Sequence, residues 1–233
     1  MRHGDGAAAL SAVAAPRLPL DLGAPISLAR PVRFDGGGPR HFGAPAARAR
    51  PYAAPGFSGD VRRGASCNCA TIELTPHCNG THTESVGHLV EEPLDVCDLV
   101  PLGLLPALVL RSRAADTLEA HAVTYRDDPA DPYLSRQLVS ELVARGIEHL
   151  VVDLPSIDRS RDGGRLCAHR LFFGLPTGST RLADATRQHC TVTEYASIPA
   201  ALSDGPCALQ LTLPRLAGDA VPSRPLAFRL AAP

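Results

Sequence analysis

The chain reads as a strand-rich α/β domain, and two features of its 233 residues predict this. An amphipathic segment over Asp131–Arg145 is followed within a few residues by the apolar run His149-Leu150-Val151-Val152-Asp153. A helix leading into a buried strand is the repeating unit of an α/β layer. Around that pair lie several short β-prone runs separated by turn residues.

Taken in order, residues 1–18 are expected to be poorly ordered, since the start is Ala-rich with no strong periodicity. Residues 19–233 are expected to form one domain, a length that can bury a core without disulfide staples. Pro, Gly and Arg dominate from Gly36 to Arg63, which reads as a long loop or arm that covers a site or a partner subunit. Ala70-Thr71-Ile72-Glu73-Leu74 alternates like a strand, and Ala107–Leu110 is a second strand. In the 131–145 helix, Leu134, Leu138, Val139, Leu142 and Val143 share one face. Asp131-Pro132 offers an N-cap and a first-turn proline, and Gly146 offers the stop. A short helix over Leu166–Phe173 carries His169, and further strands are expected at Cys190–Tyr195, Ala208–Leu213 and Leu226–Leu230.

Composition narrows the function. Formal net charge is −1, with no basic or acidic block, so no nucleic-acid or polyanion partner is expected. All 23 cationic side chains are Arg, a bias that fits a GC-rich coding sequence better than a function. No apolar run approaches membrane-span length, and no strong secretory signal opens the chain. The seven cysteines are odd in number and irregular in spacing, which favours a reducing, cytoplasmic setting over a disulfide framework.

The densest chemistry lies in His77-Cys78-Asn79-Gly80-Thr81-His82-Thr83-Glu84-Ser85-Val86-Gly87-His88. Three imidazoles, a thiol and a carboxylate fall within these residues, and each can donate a lone pair to a borderline cation such as zinc. Gly80, Ser85 and Gly87 oppose a regular helix, so the donors are expected to converge from a tight loop.

Four landmarks in order carry a family resemblance. Gly80-Thr81-His82, Glu84 and His88 are similar to the H-x-G-T-H-x-D-x-P-x-H signature of the cyclase family that includes bacterial kynurenine formamidase (arylformamidase) and isatin hydrolase. Asp153-Leu154-Pro155-Ser156-Ile157-Asp158 resembles that family's D-T-P-S-I-D, Ala168-His169-Arg170-Leu171-Phe172 its downstream metal histidine, and Val192-Thr193-Glu194-Tyr195 the strand of its second metal carboxylate. The resemblance implies a swivelling β/β/α domain, a mixed sheet core flanked by helices, assembled as a homodimer or larger homo-oligomer. It implies one or two divalent metal ions, zinc or manganese, held by His82, Glu84, His169 and Glu194. It implies hydrolysis of a non-peptide C–N bond in a small molecule, with an aryl-formamide such as N-formylkynurenine the first expectation. Ring opening of a lactam or lactone, a cyclase step, or a non-catalytic small-molecule binder are the alternatives.

Within the resemblance, His88 carries the proton to the leaving amine or serves as a further ligand. Asp153 and Asp158 hold loop amides or orient His169. Phe34, His41 and Phe42 lie where members place apolar substrate contacts, although the Trp common there is absent from this chain. Glu84 stands where most members have Asp, and the spacing from His169 to Glu194 implies an inserted loop at about Pro176–Arg187. Cys78 stands where the family's first histidine is, and His77 is one place too early. Neighbours in an extended segment point to opposite sides, so one of the two is the ligand. Cys78 as thiolate is preferred, with His77 the choice if the backbone is locally distorted.

Overall fold

A computed structural model describes residues 19–111 and 132–231. The strands are Ile26–Ser27 (β1), Arg48–Pro51 (β2), Ala53–Ala54 (β3), Phe57–Ser58 (β4), Ala70–Glu73 (β5), His82–Glu84 (β6), Leu105–Val109 (β7), His149–Val151 (β8), Thr191–Glu194 (β9), Gly205–Gln210 (β10), Ala220–Pro222 (β11) and Leu226–Arg229 (β12). The α-helices are Pro76–Asn79 (α1), Arg136–Ala144 (α2) and Cys167–Phe173 (α3). One sheet has the order β1-β12-β10-β7 and is antiparallel throughout. The other has the order β11-β6-β9-β8, with β8 parallel to β9 and the remaining pairs antiparallel. Strands β2 and β5 form a separate two-stranded ribbon, and β3 pairs with β4. The mixed α/β architecture is the one expected. The expected first-half arm is partly a ribbon, with every residue of β2 exposed.

The main apolar cluster lies where α2 and α3 pack on the second sheet. Val139 of α2, Phe172 and Phe173 of α3, Val192 of β9 and Val86 are fully buried there. Truncating either phenylalanine to alanine costs about 3–5 kcal/mol. A second cluster around Leu28, Leu209, Leu211 and Ala227 serves the antiparallel sheet. Gly174 ends α3 with φ 63°, and any Cβ there would stand 2.1 Å from Thr186 Oγ1, so another residue would be strained and would have to displace that hydroxyl.

Three local expectations are corrected. Helix α2 starts at Arg136, with Ser135 Oγ accepting from Leu138 N at 3.2 Å as its cap. Asp131 lies outside the described residues, as do residues 1–18. Leu134 N donates instead to Ile157 O at 3.0 Å, tying this stretch to the loop after β8. Leu138, placed by periodicity on the buried face, is 43% exposed. The segment 82–84 is a strand, not part of a loop, and it lies inside its sheet with all three residues at 1% exposure or less. Among the described residues no helix is long and apolar enough to cross a membrane.

Candidate metal centre

Strand β6 builds the site. His82 and Glu84 are two apart, so both side chains leave one face and Thr83 leaves the other. On that other face Thr83 Oγ1 meets Thr193 Oγ1 at 2.8 Å. Glu194 is directly opposite His82 in the β6–β9 register, on the same face. His82 Nε2 therefore lies 3.6 Å from Glu84 Oε2 and 3.6 Å from Glu194 Oε2.

Helix α3 supplies the next donor. His169 Nε2 is 2.6 Å from Glu84 Oε1 and 3.3 Å from Glu194 Oε1. Its ring is aimed by Asp158, whose Oδ2 accepts from His169 Nδ1 at 2.8 Å. The same carboxylate accepts from the Ala168 and His169 amides at 2.7 and 3.1 Å, so it also caps α3 from outside. Glu194 is held in turn by the Ile157 amide, which donates to Oε1 at 2.6 Å.

The rim comes from α1 and the turn after β6. His77 Nε2 stands 3.4 Å from Glu84 Oε2 and 3.1 Å from Asp219 Oδ2. His88 stacks on His77 with ring centroids 4.2 Å apart, and its Nδ1 lies 3.4 Å from the same Asp219 oxygen. Two sets of donor atoms are close enough to share a cation, His77–Glu84–His88 and His82–Glu84–Glu194, with Glu84 common to both. Cys78 belongs to neither.

Donor orientation fits a cation. His82 Nδ1 is 3.1 Å from Gly80 O. A carbonyl only accepts, so this nitrogen carries the proton and the Nε2 lone pair points inward. Asp158 imposes the same tautomer on His169. The inward atoms His77 Nε2, His82 Nε2, His169 Nε2 and Glu84 Oε1 are buried and make no hydrogen bond. A lone pair facing carboxylates at 2.6 and 3.3 Å is repelled unless positive charge sits between them. Without a metal, protons must provide it. Burial opposes charge on His82 and His169, yet Glu84 and its neighbouring carboxylates raise both above the ordinary imidazole value, His169 the more strongly. His88 is also raised: burial opposes its charge, and Asp219 and Glu84 overcome that. Glu84 is lowered well below the usual range by His169 and His82 despite burial. An all-N/O set of this kind suits zinc or manganese.

The structure thus brings His77, His82, Glu84, His88, His169 and Glu194 into one cluster. The preference for Cys78 over His77 is not what the geometry favours. Residues 76–79 form a helical turn and not an extended segment, which turns His77 toward Glu84, while Cys78 is buried and its carbonyl accepts from His41 N at 3.3 Å. His41 is fully buried, with its ring 4.0 Å from Phe42 and 6.1 Å from Tyr195, which is itself 6.3 Å from His82. Phe42 and Phe34 are partly exposed at 52% and 37%. Asp153, two residues after β8, is exposed. Asp219 was missed. It is a single carboxylate in a Gly-Asp-Ala stretch, and only the pairing of β11 with β6 carries it to the cluster.

Comparison with solved structures places the fold among metal-dependent hydrolases and cyclases. Isatin hydrolase A from Labrenzia aggregata, bound to benzyl benzoate, superposes with a TM-score of 0.60 at 17% identity, over 89% of this chain and 94% of that one. Isatin hydrolase A from Ralstonia solanacearum gives 0.59 at 12% identity, over 88% and 92%. A potential metal-dependent hydrolase with cyclase activity gives 0.58 at 16% identity, over 90% and 99%. No protein-family model and no curated protein matches the chain.

Proposed function

We propose that this chain is a metal-dependent hydrolase that adds water across a non-peptide C–N bond of a small aryl amide. An aryl-formamide such as N-formylkynurenine is the first substrate to test. The observation that carries the proposal is the set of inward lone pairs of His82 and His169 facing Glu84 and Glu194. His82, Glu84, His169 and Glu194 would hold one divalent ion, and His77 with Glu84 would reach a second. When bound, such an ion acidifies water and polarises a carbonyl oxygen. Asp158 keeps His169 in the tautomer with Nε2 free, and Ile157 N fixes Glu194. His88, half-buried at the rim, would take a proton and return it to the leaving amine, help typically worth about 10²–10⁴ in rate. His41, Phe42 and Phe34 are offered as contributors to the substrate's apolar wall.

A second reading, opening of a cyclic aryl amide, is supported by the isatin hydrolase neighbours and by the missing Trp. The same proposal includes a homodimer or larger homo-oligomer, supported by the exposed β2–β5 ribbon, and a cytoplasmic location, supported by the odd cysteine count. Metal-replete protein should convert N-formylkynurenine or isatin to a product heavier or cleaved by one water, stop with chelator and resume with zinc or manganese. A metal-replete protein inert towards every formyl and cyclic aryl amide overturns the hydrolase reading.

A further inference from the structure

We infer that Asp219 is the positioning residue for His88, the outer counterpart of what Asp158 is for His169. The inference rests on the hydrolase reading for its catalytic consequence and on geometry alone for the pairing. Asp219 Oδ2 is 3.4 Å from His88 Nδ1 and 3.1 Å from His77 Nε2, so one oxygen faces both stacked rings. A cation held by the His77 Nε2 lone pair leaves that nitrogen with no proton to donate. The oxygen is then left to the Nδ1–H of His88, which directs His88 Nε2 away from Asp219 with its lone pair free. Carboxylate–imidazole pairing of this kind fixes ring orientation and tautomer.

The surroundings hold Asp219 in register with the turn that carries His88. Its backbone carbonyl accepts from Ser85 N at 3.0 Å and from Ser85 Oγ at 3.4 Å. Ser85 Oγ accepts from Gly87 N at 3.1 Å and caps the turn over Val86–Leu89. Gly87 lies so close that an added Cβ would come 3.1 Å from Asp219 Cβ and 3.0 Å from Leu94 O. On the other side, Asp219 leads straight into β11, which pairs with the ligand strand β6 through Ala220 opposite Glu84. The Asp219 backbone is therefore held from both sides, within reach of the rings its carboxylate faces.

The test reads the His88 ring directly. Zinc-loaded protein with ¹⁵N-labelled histidine is examined by long-range ¹H–¹⁵N correlation, with His88 assigned by the signals lost in His88→Gln. The expected result is an Nδ1–H tautomer for His88 in the wild type, lost or mixed in Asp219→Ala and largely retained in Asp219→Asn, which keeps an acceptor oxygen. In the same proteins kcat should fall about 10–100-fold in Asp219→Ala with KM little changed, and recover in part in Asp219→Asn. Zinc content should stay at the wild-type level. An Nε2–H tautomer in the wild type, or a His88 spectrum that Asp219→Ala leaves unchanged, overturns the inference. Loss of zinc in Asp219→Asn does so too, because Asp219 would then be a ligand. Wild-type protein without turnover but with the Nδ1–H tautomer would sink the hydrolase reading and leave the pairing standing.

Discussion

The floor and the rim of the cluster use the same parts under different conditions. At the floor, His82, Glu84, His169 and Glu194 are at most 5% exposed, and the Asp158–His169 contact is 2.8 Å. At the rim, His77, His88 and Asp219 have 22%, 30% and 39% of their side chains exposed, and the Asp219–His88 contact is 3.4 Å. Each half pairs imidazole with carboxylate. Only the floor has its groups fixed by strand register, helix capping and loop amides at once. Buried charge must be matched there, because unpaired charge in a dry interior is very costly. Water can solvate what the rim leaves unmatched, which suits the proton-carrying role proposed for His88.

That contrast can be tested by breaking the floor first. Asp158→Ala removes the tautomer lock on His169 and two amide acceptors at the start of α3 together. Zinc affinity should fall by about 10–100-fold, and stability by about 1–3 kcal/mol. Competition with a chromophoric chelator reads the first and urea denaturation the second. An unchanged zinc affinity would mean that Asp158 serves the helix alone. A smaller effect is expected at the rim, where the pair His77→Ala and Cys78→Ser separates the two candidate ligands. His77→Ala should weaken metal uptake, chiefly of a second equivalent, and Cys78→Ser should leave stoichiometry and affinity near wild type. Elemental analysis after dialysis checks both, and the reverse order would restore the thiolate.

The same contrast explains which features were legible from the residues. Most of the α2 face and the strands β8, β10 and β12 follow hydrophobic patterning, and each was readable because what is buried there is largely apolar. Strand β6 was not, since His-Thr-Glu is a polar string buried for chemistry and so mimics a loop. The floor donors could be named because the residue types announce themselves by motif. The choice between His77 and Cys78 could not, because it depends on whether four residues turn or extend. Asp219 was hidden for another reason: it reaches His88 only through long-range pairing of β11 with β6, which local pattern does not encode. Helix α2 lost its expected start for a similar reason, as Leu134 is tied to Ile157 and Ser135 provides the cap.

If the carboxylate-lined lone pairs of this cluster bind a divalent cation, zinc uptake must be linked to proton release. In the metal-free chain His82, His88 and His169 are raised above the ordinary imidazole range: burial opposes their charge, and the facing carboxylates prevail. Those imidazoliums stabilise the metal-free fold fully below about pH 6.5, and that contribution is lost as pH rises through their raised values. A cation needs the same nitrogens without protons, so its binding must expel them and tighten as pH rises. Zinc titrated calorimetrically into metal-stripped protein, in two buffers of different ionisation enthalpy, should show stoichiometric uptake, net proton release and an affinity that increases from about pH 6 to about pH 8. Absence of uptake, or an affinity indifferent to pH with no proton release, would contradict it.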